Sequence, residues 1–351
     1  MHSGADEGGT APAPSTSPTR LPTMRDIADH LGVSRQLVSL VMRGAPGPSE
    51  QSRERILDAA RDLGYRPNTS ARLLRQNRTR LIGVLFELRH PFEVRFVERL
   101  LVRAADEGFS LVLGPVTSEH GIDAAVASLV AQRVEAIVAF NPDPASSGLD
   151  AALDLVPVVW LGERSVEPRA DNVSVDERTG LRLAVEHLAG LGHRDISYVG
   201  GQAGVVGPDR VAAYRAAMAG VGLDDRIDVL DGDFTEEGGA TAARRVLARP
   251  RRPTALICGG DLSAIGALAV FSHAGLSVPG DISVVGFDDS YVAALSYNEL
   301  TSVRQDVEAT VEATLAIVLA RVADRTTAPR AVLTPTVLVE RASSGPAPAT
   351  A

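Results

Sequence analysis

From Leu81 onward the chain repeats one pattern, a short and nearly continuous apolar run followed by an amphipathic stretch. The runs are LIGVLFE (81–87), FSLVLG (109–114), EAIVAF (135–140), VPVVWL (156–161), DISYVG (195–200), TALICG (254–259) and DISVVG (281–286). Helical spacing follows them, for instance over 92–107, 121–132, 178–191, 208–221 and 261–274. A strand that is apolar on both faces must be covered on both, which is the situation of a parallel sheet flanked by crossover helices. About 260 residues of this pattern exceed what one five- or six-stranded sheet needs. The expectation is therefore two similar Rossmann-like α/β lobes with a ligand cleft between them.

The first eighty residues follow different rules. Residues 1–20 are mostly Ala, Pro, Ser, Thr and Gly, too poor in apolar side chains to offset chain entropy, and are read as a disordered tail. The stretch from Ser343 to the last residue, SSGPAPATA, reads the same way. Between Leu21 and Arg66 three short helices are expected. Thr23 followed by Asp26 starts the first, Ile27, Ala28 and Leu31 give its apolar stripe, and Gly32 stops it, so it spans Met24–Leu31. Ser34 caps the second, Arg35–Met42, which turns Leu37, Val38 and Val41 inward and leaves Arg35, Gln36 and Ser39 outward. Ser49 caps the third, whose inner stripe is Ile56, Leu57, Ala60 and Leu63, and Gly64 ends it. Two helices joined by a tight glycine turn form a helix-turn-helix, which presents the first turn of its second helix to base edges in the major groove.

Charge is segregated in the same way. The net charge is −9, yet residues 20–80 carry twelve Arg against six acids while the remainder carries twenty-three Arg against thirty-eight. Lysine is absent, so every basic contact falls to Arg, whose planar fork suits phosphate and guanine edges. Cys258 is the only cysteine, which excludes an internal disulfide and a cysteine-built metal site. No apolar run reaches the roughly 18 residues of a membrane helix. The N-terminal residues show no secretory pattern, and a cytoplasmic protein is expected.

The strings MRDIADHLGVSRQLVSLVMRG (24–44), SRERILDAARDLGYRPNTSARLLR (52–75) and TRLIGVL (79–85) resemble, in order and spacing, the head, hinge and first core strand of the lactose-repressor (LacI/GalR) family. HLAGLGHRDISYVGG (187–201), GDLSAIGAL (260–268), GLSVPGDISVVGFDDS (275–290) and LTSVRQ (300–305) extend the resemblance across roughly residues 21–342. It implies a helix-turn-helix DNA-binding domain over 21–66 and a hinge over 67–78. It also implies a periplasmic-binding-protein-like effector and dimerisation core over 79–342. The N-lobe is expected at about 79–174 and 304–332, the C-lobe at about 175–303 and 333–342.

Function follows from the same resemblance. Ser34, Arg35, Gln36 and Ser39 are the major-groove candidates. Leu37 and Leu40 stand where relatives commonly have Thr and Arg, so the operator should differ from the common family site. Asn68, Ala71 and Leu74 match the hinge helix, with Leu74 as the minor-groove wedge. In the core, Asp288, just past an apolar strand, and Arg210, at a helix start, match effector-contacting positions. Phe92 and Phe234 are candidate walls, and Asp176 and Asp261 candidate polar groups. Gly162 and Gly260 replace an Asp and an Asn that many sugar-binding members carry. The resemblance implies a homodimer on a pseudo-palindromic double-stranded operator, probing a small effector that is a sugar or, alternatively, a nucleobase or nucleoside. It implies no cofactor. Two rival classes fare worse: VGGQAGVVG (199–207) lacks the glycine spacing of a dinucleotide loop and no catalytic motif is present, and a free solute-binding protein would have no use for the basic head.

Overall fold

The computed structural model describes residues 22–65, 78–162, 164–165, 167–201 and 206–348. The chain divides into two units, Met1–Asn77 and Arg78–Ala351. Residues 1–20, the hinge candidates Asn68, Ala71 and Leu74, and residues 349–351 lie outside the described residues.

In the first unit α1 (Met24–Leu31), α2 (Arg35–Met42) and α3 (Glu50–Asp62) form where their end signals place them. The Asp26 carboxylate accepts from the Thr23 amide and hydroxyl at 2.6 Å, and Gly32 closes α1 in the left-handed region at φ +65°. Ile27, Ala28, Val38, Val41, Ile56, Ala59 and Ala60 make the buried core of this small domain. Leu57, expected on the inner stripe, is exposed; Ala59 takes the inward place instead, so the stripe of α3 is rotated by part of a turn.

The second unit holds two six-stranded sheets. β1 (Leu81–Glu87), β2 (Ser110–Val116), β3 (Ala136–Phe140), β4 (Val158–Gly162), β5 (Asp171–Val175) and β11 (Ala331–Thr334) form the N-lobe sheet, parallel throughout, in the order β11-β5-β4-β3-β1-β2. β6 (Ile196–Gly200), β7 (Asp228–Asp231), β8 (Ala255–Cys258), β9 (Ser283–Asp288), β10 (Thr301–Gln305) and β12 (Thr336–Val339) form the C-lobe sheet in the order β12-β10-β9-β8-β6-β7. Only β12 there runs antiparallel.

Helices cover both faces of each sheet. In the N-lobe α4 (Pro91–Asp106) and α11 (Val307–Ala323) bury Phe96, Leu100, Val311 and Leu315 on one side, while α5 (Ile122–Ala131) and α6 (Ser147–Leu155) bury Leu129, Leu149 and Trp160 on the other. The C-lobe repeats this with α7 (Glu177–Gly190) and α8 (Val206–Gly220) over Tyr198, Tyr214 and Phe287, and α9 (Glu236–Leu247) and α10 (Asp261–His273) over Leu256 and Phe271.

The chain passes between lobes three times, at Asp176, Asp306 and Pro335, against boundaries expected near 174, 303 and 332. The crossings are tied to one another. Asp176 donates its amide to the Thr334 carbonyl at 2.9 Å, Thr336 donates its hydroxyl to the Asp176 carbonyl at 3.0 Å, and Asp306 donates its amide to the Pro335 carbonyl at 3.4 Å. The Asp176 carboxylate caps α7 by accepting from the Thr179 amide at 3.0 Å, and that of Asp306 caps α11 by accepting from Ala309 at 2.9 Å.

Residues 343–348, expected to continue a disordered tail, instead pack on the C-lobe. Ser343 is buried; its hydroxyl donates to the Val284 carbonyl at 2.6 Å and accepts from the Thr301 amide at 2.8 Å. The Gly345 carbonyl lies 3.0 Å from His193 Nε2, and Ala347 donates to the Leu191 carbonyl at 2.9 Å. Small polar residues here are held by directional hydrogen bonds, which composition alone does not register. No helix among the described residues is long and apolar enough to cross a membrane, and among them no group of three or more His, Cys, Asp or Glu side chains is placed to hold a metal.

Candidate functional site

The outer face of α2 is organised for contact rather than for packing. Ser34 accepts the Leu37 amide at 3.1 Å and so fixes the first turn, from which Arg35 and Gln36 project into solvent. Among the described residues Arg35 enters no ion pair, unlike Arg25, Arg53 and Arg61, which each face an acid on their own helix. Ser39 is half-buried and accepts from Arg43 Nη1 at 2.7 Å, so the hydroxyl one turn on already has a cation beside it. Arg43 was not singled out from the sequence, because it follows the last apolar position of the helix.

The second site lies between the lobes. The residues that line it come from the C-terminal ends of strands, the loops beyond them and the first turns of the helices that follow, where α/β sheets collect their ligands. His90, Phe92 and Glu93 come after β1, Asn141 after β3, Gly162 from the end of β4, Arg210 after β6, Phe234 after β7, Asp288 from β9 and Gln305 from β10. The enclosed volume is about 40 Å³, room for a few waters and far below the roughly 300 Å³ of a ligand pocket. A wider recess of about 510 Å³ adjoins it, sharing Gly162 and Val206 and lined further by Asp176, Glu177 and Asp209. Arg164 of the N-lobe reaches Asp209 of the C-lobe at 3.4 Å across that mouth.

Arg210 is only 7 % exposed. Its guanidinium carbon stands 4.0 Å above the Phe287 ring and 5.5 Å from that of Phe234, and Nη1 donates to the Gly259 carbonyl. Glu177 Oε1 lies 3.1 Å from Nε, an ion pair without hydrogen-bond alignment. Burial pushes the Glu177 carboxyl up to about 7 against the pull of Arg210. Asp288 is equally buried and accepts from Gln305 Nε2 at 2.5 Å; desolvation holds its carboxyl above the ordinary carboxylate range.

Asp288 and Asp289 adopt φ of +109° and +46°, values that side chains other than glycine rarely take. Their surroundings hold them there. Asp289 is clamped by Arg304 at 2.6 Å and Arg341 at 2.7 Å, and its amide donates to Ser302 Oγ at 3.0 Å. Asp261 accepts from the Ser290 amide and hydroxyl, both at 2.7 Å, and from Ser302 Oγ at 2.6 Å. Asp261 therefore does not line the cavity; it lies beneath, fixing the loop that aims Asp288, and both burial and the neighbouring Asp288 raise its carboxyl. Asp176 likewise faces the outer recess and caps α7.

Phe92, Phe234, Arg210 and Asp288 are the sequence candidates that the fold gathers around the cavity. Glu93, His90, Asn141 and Gln305 join them unannounced. Gly162 explains one departure from the family pattern: at φ +87° any side chain would be strained, and the Asn141 amide occupies the space where its Cβ would sit.

Residues 23–68 match the bacterial regulatory proteins of the lacI family, and residues 185–344 match the periplasmic binding protein-like domain. The repressor PurR of Erwinia tasmaniensis is 31 % identical over 333 residues, covering 93 % of this chain and 98 % of that protein. The chain belongs to the LacI family. Among solved structures, the Lac repressor dimer bound to operator and the anti-inducer ONPF superposes with a TM-score of 0.80 at 28 % identity, covering 93 % of this chain and all of that one. The CelR–cellobiose complex superposes at 0.68 with 30 % identity, covering 92 % and 99 %. A LacI-family chain of this architecture is a DNA-binding transcriptional regulator whose head reads DNA and whose core senses a small molecule.

Proposed function

We propose that this regulator is a cytoplasmic repressor that binds a pseudo-palindromic operator as a homodimer and is controlled by a small polyhydroxylated metabolite, a sugar or sugar derivative, held between the core lobes. The observation that carries the effector reading is the convergence of Arg210 and Asp288 on one interlobe cavity beside Phe92 and Phe234. A carboxylate accepts two hydroxyl hydrogen bonds and a guanidinium donates in a plane, so together they orient a hydroxylated ring against an aromatic wall. The similarity to CelR, solved with cellobiose, supports the sugar class. With only about 40 Å³ enclosed, a ligand enters by spreading the lobes about their three crossings. A ligand that prefers one closure shifts operator affinity by its differential affinity for the two.

For the head, the reading assigns Arg35 and Gln36 to base edges, Ser34 and Ser39 to positioning and phosphate contact, and Asn68, Ala71 and Leu74 to the hinge and minor groove. Leu101 and Val102 on α4 and Leu113 on β2 stand about half exposed, apolar surface suited to a second copy. Occupancy of a promoter-proximal site by the dimer blocks polymerase, and no catalytic role is assigned to the cavity. A nucleobase or nucleoside is the second reading, favoured by the three phenyl rings at the cavity, Phe92, Phe140 and Phe234, and by the similarity to PurR. Calorimetry tests the assignment: Asp288→Ala should abolish binding of a ligand that releases or promotes operator binding, and undiminished affinity would place the effector elsewhere.

A further inference from the structure

Glu93 is the cavity group with the least to hold it. It sits in the first turn of α4 and is 3 % exposed, although glutamates are rarely buried unless paired. One carboxylate oxygen accepts from the Glu87 amide at 2.6 Å; among the described residues the other has no hydrogen-bond partner. No cation compensates it. The charge of Arg210 is shared between Glu177 at 3.1 Å and Asp288, and Glu93 instead feels two further carboxylates, Glu87 from the end of β1 and Asp288 from the opposite lobe. Burial and these like charges push the Glu93 carboxyl up to about 8, so near neutrality it keeps a proton. The remaining groups at the cavity are His90, whose buried Nδ1 also has no hydrogen-bond partner, and the neutral amides of Asn141 and Gln305.

We infer that Glu93 is the specificity-determining residue of the N-lobe, and that with Asp288 it selects a ligand carrying a basic amine beside its hydroxyls, an aminated polyol rather than a neutral or acidic one. The inference rests on the cavity being the effector site. An ammonium between the two carboxylates replaces the proton that Glu93 otherwise retains and relieves repulsion that closure creates, because the two acids stand on different lobes. A neutral hydroxyl donates to the same oxygens without cancelling their charge. A carboxylate-bearing ligand adds a third like charge.

The test uses the full chain and matched probes: D-glucosamine, D-glucose and D-glucuronate, with the galactose counterparts of each. Titration calorimetry should show one amino sugar binding about tenfold or more tighter than its neutral partner, the margin a charged hydrogen bond provides, with no binding of the uronate. Its binding should release protons, read from the dependence of the heat on buffer ionisation. The isosteric Glu93→Gln should fold at least as stably as wild type, reduce the preference to about twofold or less and remove the proton release. A neutral sugar that binds through Asp288 as tightly as its amino partner, or an amine preference that survives Glu93→Gln, overturns the inference and leaves the effector site standing. Silence from all six probes also overturns it, and the effector reading then stands or falls on Asp288→Ala alone.

Discussion

Two arginines stand in the two candidate sites, and they live under opposite conditions. Arg35 stands in solvent with no ion pair among the described residues, while Arg210 is buried between two phenyl rings with a carboxylate at 3.1 Å. The first contributes nothing to folding and is free to spend its charge on a partner. The second is part of the fold, so a test of its proposed role in ligand recognition needs a stability control. The contrast extends to neighbours: the α2 face is assembled from one helix turn, whereas the cavity draws on strand ends from both lobes.

The comparison is broken most forcefully by removing each guanidinium in turn. Arg210→Ala should cost about 3–5 kcal/mol in urea unfolding, because Glu177 is left as an unpaired buried charge; a loss below about 1 kcal/mol would show that water replaces the pair. Glu93→Gln comes next. Its folded carboxyl titrates at about 8 against about 4.5 when unfolded, so the folded state holds a proton that the unfolded state has lost, and this group's contribution to stability falls as pH rises from about 4.5 through 8. The variant should therefore gain on wild type between pH 5 and 9, by about 2–4 kcal/mol at the upper end, and pH-independent melting differences would refute the buried acid. Arg35→Ala should weaken operator binding by about 1–3 kcal/mol and relax preference at one base pair per half-site, with the melting temperature unchanged; a footprint of unaltered specificity would remove Arg35 from the base-reading set. Smallest is Ser34→Ala, about 1 kcal/mol of head stability through the lost cap at 3.1 Å, measured by thermal unfolding.

The same contrast explains what the amino-acid sequence disclosed. Both ends of α1 and the start of α2 were legible because their caps are local: Thr23 with Asp26, Gly32 and Ser34 each act within four residues. The seven apolar runs were legible as strands because they are apolar at nearly every position; six of them are covered on both faces, while β2 lies at a sheet edge and is only partly covered. DNVSV, DVLD, TSVRQ, AVLT and TVLV were not read as strands; β5 and the buried β10 carry polar residues, and β7, β11 and β12 are short edge strands that bury little. At the cavity, Asp288 and Arg210 follow apolar strands and could be picked out, but Glu93 looks like any first-turn helix acid until the opposite lobe closes over it. Asp176 and Asp261 carry strand-end signals as strong as that of Asp288, yet one caps a helix and the other braces a loop. The basic excess of residues 20–80 also proves uneven, because residues 22–65 contain six Arg and six acids, and the surplus belongs to Arg20 and to Arg66, Arg72, Arg75, Arg78 and Arg80.

The three tied crossings have a consequence for biosynthesis. β11 and β12 each complete one edge of a sheet, and they are joined through Pro335, so the N-lobe lacks its last strand until translation has passed residue 334 and the C-lobe until it has passed residue 339. A nascent chain that ends before β11 carries two sheets with an exposed edge each, β5 in one lobe and β10 in the other, and such edges pair readily with the wrong strand. Completion of the two lobes is thus one event on the ribosome rather than two, and a single late segment decides whether both of them close.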